Sequence, residues 1–192
     1  LLIAFRSVVI AGTAIVLNVL SAAAAFGLMV AVFQWGWGAE LLGMPQVDGI
    51  APWLPLFLFA VLFGLSMDYH VFLLSRIKER HDAGDDTRTA VVFGLSRTGS
   101  LITGAALIMV AVFSGFALGD LAEFNQMGLG LAAAVIIDAT IVSTLLVPAI
   151  MTALGNANWY LPSWLGWLPQ MRIEPVDEEA TATETERELA GV

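Results

Sequence analysis

Four long apolar stretches dominate the chain: residues 8–33, 54–77, 100–118 and 127–153. Each approaches or exceeds the roughly 20 apolar residues that carry a helix across a ~30 Å hydrocarbon core. None shows the alternating polarity, over segments of about ten residues, of a transmembrane barrel strand. The pattern therefore predicts an all-α integral membrane fold with four transmembrane helices. Leu1 to Phe5 is a further apolar stump that stops at Arg6 and reads as the end of an earlier helix. The chain thus reads as a piece of a longer polypeptide. Composition agrees. Hydrophobic residues make up 58% of the chain, against roughly 45–50% apolar in soluble domains, and the mean hydropathy is +0.83.

Charge adds an orientation. The eight basic residues are Arg6, Arg76, Lys78, Arg80, Arg88, Arg97, Arg172 and Arg187. One precedes the first stretch, five lie between the middle of the second and the start of the third, and two follow the fourth. Lys and Arg concentrate in cytoplasmic loops. Four crossings put all eight on one side, so both ends of this chain are expected in the cytoplasm. Residues 34–53 and the turn around Asp120 and Glu123 carry no basic residue and belong on the opposite side. The formal net charge of −9 says little about partners, because seven of the seventeen acids lie in residues 174–192. Residues 1–168 read as the membrane domain, and 169–192 as an acidic, disordered cytoplasmic tail.

Between the spans, Thr87 to Leu95 is amphipathic and predicts a short helix on the membrane surface. Trp159, Tyr160, Trp164 and Trp167 form an aromatic cluster suited to the headgroup region. Small residues are dense at Gly12, Ala22 to Ala25, Gly27, Gly104, Gly115, Gly119 and Ala132 to Ala134. Lipid gives no hydrophobic drive for helix association, so close backbone approach at such residues implies a packed bundle. Pro148 removes a backbone donor and predicts a kink in the fourth span. Asn18 and Ser21 are expected to hydrogen-bond between helices.

The chemistry-bearing residues sit inside the spans. Asp68, Tyr69 and His70 stand together in "FGLSMDYHVFLLSRIKER". Asp68 precedes Arg76 by eight residues, roughly 12 Å along a helix, which puts it near the bilayer midplane. A charge there is costly, by about 2.5 kcal/mol or more, and a carboxyl escapes that cost by taking up a proton. Tyr69 is placed to relay a proton, and Phe72, one turn on and on the same face as Asp68, to control water access. His70 points about 200° away from Asp68, so the two need not share a partner. The bland alternative is that Asp68 ties two helices together. Asp138, with Thr140 and Ser143 nearby, is a second polar position in the bundle. It would pair with a hydroxyl, join a proton path, or hold helices together, and the last is slightly favoured.

Other chemistry lacks its signature. His70 and His81 have no cysteine companions and no H-E-x-x-H spacing, so no metal site is expected. There is no P-loop and no G-x-S-x-G elbow. The chain reads as neither an enzyme nor the holder of a cofactor, and transport would draw on an ion gradient.

The stretches "LPLFLFAVLFGLSMDYHVFLLSRIKE", "RTGSLITGAALIMVAVFSGFAL", "GLGLAAAVIIDATIVSTLLVPAIM" and "NANWYLP" resemble, in that order, the C-terminal membrane block of the MmpL transporters. These are an actinobacterial branch of the resistance–nodulation–division (RND) superfamily. The resemblance covers residues 1 to about 168. It implies a twelve-helix bundle in two pseudo-symmetric halves, each with a periplasmic domain. This chain would supply the end of the eighth helix and the ninth to twelfth. The family exports lipids, glycolipids or siderophores, driven by protons. Its Asp-Tyr pair of the tenth helix falls on Asp68 and Tyr69 and faces a matching pair in the missing N-terminal half, and its nearby phenylalanine falls on Phe72. Two positions depart from the pattern: His70 stands where Glu is usual, and Ser143 where Arg is usual.

The resulting expectation is a fragment of a proton-driven exporter of lipid-like molecules, whose partners are the rest of the transporter, the lipid and protons. No nucleic-acid partner is expected. The alternative is a non-transporting RND relative, sterol-sensing-like or accessory, in which Asp68 only braces the bundle. A third class is a four-helix scaffold that binds a partner through its acidic tail.

Overall fold

A computed structural model describes residues 1–39, 43, 44, 46–119, 121–162 and 165, apart from the side chains of residues 3 and 4. The described residues form helices and connections only. The short α1, Leu2–Phe5, ends at Arg6, whose φ of 49° breaks the helix. Next come α2 (Val8–Phe33), α3 (Leu54–Asp82) and α4 (Thr87–Ala117). The last span is composite. It starts as α5 (Ala122–Ile137), widens into a π-helical segment over Asp138–Leu146, and closes through α6 (Val147–Leu154) and a 3₁₀ turn, Gly155–Trp159. Four helical segments are long and apolar enough to cross a membrane: Val8–Phe33, Leu54–Asp82, Thr87–Ala117 and Ala122–Trp159. At 1.5 Å per residue, the 26 residues of α2 reach roughly 39 Å.

Two of these segments are longer than the apolar pattern alone implied. α3 continues through "RIKERHD" to Asp82, where Arg76–Glu79 (2.9 Å) and Lys78–Asp82 (3.1 Å) pair along the exposed surface. The Thr87–Leu95 stretch is not a separate surface helix. It is the first part of α4, which runs unbroken to Ala117. No Pro separates residues 95 and 100, where Ser96, Thr98, Gly99 and Ser100 stay helical, and the inward residues Ala90, Val91 and Gly94 pack on α3 rather than lying in lipid headgroups. Only residues 83–86 join the two helices.

The ends of the bundle are tied across the sequence. Ser7 caps α2 by accepting from the Ile10 amide at 3.0 Å, and its hydroxyl also donates to the Asn158 carbonyl. The Val8 amide donates to the Tyr160 carbonyl at 3.3 Å. Asn158 in turn donates to the carbonyls of Met151 and Gly155, at 2.6 and 2.7 Å. At the other end, the Gln126 side chain accepts from the Ala51 amide at 3.1 Å and so pins the α2–α3 connection to the start of α5.

Apolar packing forms layers along the helix axes. Near the Arg-bearing end, Leu17, Leu73, Leu74, Ile77, Val91, Val142 and Met151 belong to one buried cluster. Near the opposite end, Met29, Phe33, Leu54, Leu58 and Leu131 form another. Ala25, Leu62 and Ala134 pack between them. The composite last span is the central one, with most of its apolar window buried, whereas the apolar window of α4 is almost wholly open.

Close approach happens at glycines other than those the composition pointed to. A Cβ on Gly128 would lie 2.2 Å from the Ala117 amide nitrogen and 2.6 Å from the Phe113 carbonyl oxygen, so α4 and α5 touch backbone to backbone there. A Cβ on Gly94 would meet the Ile77 side chain of α3 at 2.5 Å, and one on Gly130 the Met29 sulfur of α2 at 2.4 Å. Gly12, Gly27, Gly104 and Gly115 have nothing within 4 Å of such a Cβ. Their small size serves no contact among the described residues.

Candidate functional site

The middle of α3 carries two polar faces. On the outer face Ala60, Gly64, Asp68, Phe72 and Arg76 follow one another at four-residue spacing, and all five are exposed. A helix places such positions in one stripe. Asp68 therefore stands at mid-span with its side chain directed away from the other three spans, and Phe72 beside it is 57% exposed. Tyr69 is half-buried between the faces, its ring 5.1 Å from that of His70.

The inner face is a buried polar layer. His70 is 2% exposed, Ser66, Ser21 and Asp138 are 0%, and Asn18 and Ser143 are 1%. Ser66 and His70 share one side of α3, with Ser66 Oγ 3.1 Å from His70 Nδ1. Ser143 Oγ, from the π-helical segment, is 3.4 Å from His70 Nε2. Both ring nitrogens thus have hydroxyl partners. Ser21 of α2 donates to Asp138 Oδ1 at 3.0 Å, and Ser66 also lies beside Asp138. The second carboxylate oxygen, Asp138 Oδ2, has no partner among the described residues, nor has either amide atom of Asn18.

The local backbone explains why these groups converge. Pro148 cannot donate to a carbonyl one turn earlier, and its ring crowds that carbonyl. The helix responds by widening. The Val147 amide reaches back five residues to Val142, and the Thr144 hydroxyl reaches five residues back to Ala139 at 2.8 Å. The expected kink is thus spread over a π-helical stretch. Such segments are common at functional sites, because they turn side chains out of α register. Here the wide turns bring both Asp138 and Ser143 to the interior, while Thr140 faces outward and donates to the Ile136 carbonyl at 2.5 Å.

Several expectations are met and others are not. Asp138 does pair with a hydroxyl, that of Ser21. Asn18 makes no interhelical hydrogen bond among the described residues. Asp68 and His70 are separated as the helix spacing implied. Trp159 packs against α3: its ring stacks on His81 at 4.8 Å with Lys78 Nζ 5.0 Å from its centre. Tyr160 is 61% exposed. Trp164, Trp167, Asp120, Arg172, Arg187 and the acidic tail lie outside the described residues. Ser66 was the residue most easily missed. Its signal was the four-residue spacing to His70 inside an otherwise apolar run. Among the described residues no cluster of His, Asp and Glu could hold a metal ion.

A family model described as the MMPL family matches residues 1–172. The chain belongs to the MMPL family. Among its relatives, a protein of Mycolicibacterium smegmatis named mycolic acid-containing lipids exporter MmpL11 is 47% identical over 175 residues, covering 91% of this chain and 18% of that protein. A Mycobacterium tuberculosis protein named heme uptake protein MmpL11 is 47% identical over 165 residues, covering 86% of this chain and 17% of the relative. Trehalose monomycolate exporter MmpL3 of M. smegmatis is 39% identical over 163 residues, covering 85% and 16%. The chain spans about a sixth of the length of these relatives. With the family and the four apolar spans together, the chain reads as a multi-pass membrane protein. His70 and Ser143, the two positions that the resemblance marked as departures, are the two ends of one contact.

Proposed function

We propose that this chain is part of a proton-driven exporter of lipids or lipid-like molecules, in which Asp68 binds the transported proton. One observation carries the reading: a carboxylate stands at mid-span on the open face of α3. A charge facing lipid at that depth costs about 2.5–3.5 kcal/mol on insertion scales, and far more in simulations. The face is therefore covered by other parts of the transporter. The resemblance supplies the covering group, a second Asp-Tyr pair in the N-terminal half. Ala60 and Gly64 leave room on the stripe for close approach of that helix. Tyr69 relays the proton and Phe72 shields it. A protonated Asp68 is neutral and lets the halves pack in one way, and an ionised one favours another. One charge moved across 100 mV supplies about 2.3 kcal/mol, so one or two protons per cycle suffice for an uphill step. The distribution of Arg and Lys supports a plasma-membrane location with both ends of this chain in the cytoplasm. The names of the MmpL11 and MmpL3 relatives of M. smegmatis support a lipid cargo.

The test replaces Asp68 by Asn at the native locus, so that the whole transporter is read. Surface and internal lipids are compared by mass spectrometry at matched protein level. Accumulation of one lipid class inside, with its loss from the surface, is the expected result. An unchanged profile at normal protein level overturns the coupling role and leaves Asp68 a brace.

A further inference from the structure

The outer Asp68 is not the only polar feature that reaches mid-span. A small cavity of about 30 Å³ lies between α2, α3 and α6. Its lining runs along α2 from Ile10 to Leu17 and along α3 from Leu74 to His70, and it includes Asn158 of the 3₁₀ turn. Seven residues of α2 correspond to roughly 10 Å. The cavity thus lies on the Arg-bearing side of the imidazole, between His70 and the level of Ile10. Most of its wall is apolar, and Thr13, Asn158 and His70 are the polar residues that line it. A buried water needs two to four polar partners and about 10–15 Å³ of such volume, so there is room for one or two.

We infer that this cavity is a water-filled entry through which His70 takes up protons and hands them to Asp138, by a route separate from the Asp68 face. The inference rests on the export reading above. A proton arrives at His70 Nε2 from cavity water or through Ser143, while the proton on Nδ1 leaves to Ser66 Oγ. Ser66 passes its own hydroxyl proton to Asp138. One proton has then moved from water to the carboxyl group, and the imidazole is left as its other tautomer, which ring rotation or exchange with water restores. The contacts at 3.1 and 3.4 Å supply the two sides of the imidazole, and Ser66 lies beside Asp138 for the last leg. Asp138, beside Ser66 and bonded to Ser21 through Oδ1 alone, is the acceptor that completes it. The groups facing His70 are few. α2 presents only the neutral Thr13, Asn18 and Ser21, and α6 nothing titratable. The π-helical segment presents Asp138, and α3 itself presents Tyr69 beside the ring and Asp68 on its far side. No fixed cation among the described residues neutralises Asp138, so a proton is the simplest neutralising partner.

The experiment uses the whole transporter in its membrane, with any cysteines outside this chain replaced; this chain has none. Thr13→Cys is compared with Val16→Cys, which sits on the outward face of α2 at 66% exposure. Vesicles are treated with silver ion, a small hydrated thiol probe, and the remaining thiol is then labelled with a maleimide after denaturation. Protection of Thr13→Cys but not of Val16→Cys is expected, and equal labelling of both overturns the water-filled entry. In parallel, lipid export is measured against pH for His70→Gln, which keeps the hydrogen bonds but relays no proton. At least a tenfold fall and a flattened pH profile, at normal protein level and thermal midpoint, are expected. Wild-type export by His70→Gln overturns the relay. If Asp68→Asn abolishes export while His70→Gln does not, only this inference falls. If neither changes export, the coupling reading falls with it. Should His70→Gln fail to accumulate, the thiol comparison decides.

Discussion

The contact between His70 and Ser143 makes a quantitative prediction about charge in the polar layer. The resemblance places Glu and Arg at these positions in relatives, and the two side chains here are 3.4 Å apart in a fully buried setting. His70→Glu alone would add a second carboxylate beside Asp138, linked through Ser66, with no cation to balance it. An uncompensated buried charge costs about 3–5 kcal/mol. Ser143→Arg alone should cost less. Residue 143 follows Asp138 by five positions in a π-helical segment, whose wide turn returns to the same face after four to five residues, so the guanidinium finds Asp138. The cavity against His70 offers part of the extra volume, and overpacking costs about 1–3 kcal/mol. The double variant has two acids and one base, net −1 when all are ionised, as in the parent layer, against −2 for His70→Glu alone. The coupling between the two changes should then exceed about 2 kcal/mol in the stabilising direction, where independent sites add within about 0.3–0.5 kcal/mol. Thermal midpoints of the four purified transporters in detergent, with their accumulation in the membrane, give the cycle. Additive losses, with the double variant the least stable of all, would refute both the contact and the charge argument built on it.

Two further outcomes follow from the packing. Gly128→Ala should lower the thermal midpoint and the protein level, since its Cβ would meet backbone atoms at 2.2 and 2.6 Å that only a shift of the helices by about 1 Å can relieve; Gly12→Ala, with nothing within 4 Å, should be neutral in the same assay. Ser7→Ala should cost about 1–2 kcal/mol for the lost N-cap of α2, and free the 3₁₀ turn at Asn158, read as faster proteolysis after residue 155.

Much of the architecture was legible because lipid simplifies the problem. Every backbone polar group must be satisfied within its own segment, so an apolar run of sufficient length can only be a helix, and the four runs were found with their order intact. The failures are equally physical. The α3 and α4 helices pass beyond the apolar runs, because outside the hydrocarbon a helix is held by ion pairs such as Arg76–Glu79 and by packing such as Ala90 on α3. Apolarity does not record either. The glycines that matter were not the conspicuous ones. A glycine gains its meaning from the atom opposite it, and Gly128 faces Ala117 eleven positions earlier in the chain. The π-helical stretch was foreshadowed only by Pro148. Its consequence, that Asp138 and Ser143 share an interior, depends on how the helix widens rather than on which residues it contains.

α3 is then the element on which both polar faces depend. Asp68 and His70 are two residues apart and point to opposite sides, the first toward whatever covers the open stripe, the second toward the layer held by Ser21, Ser66, Asp138 and Ser143. Tyr69 sits between them with its ring against the imidazole. A change of charge on either face cannot be absorbed by a side chain alone. His70 is held by hydroxyls on both ring nitrogens, and Leu62, Leu73 and Ile77 are fully packed above and below it. Packed interiors switch between discrete arrangements rather than deforming smoothly. The response open to the bundle is therefore a rotation or a slide of α3 as a unit. Such a motion would carry the Asp68 stripe and the inner layer together, and make the protonation of one face felt at the other.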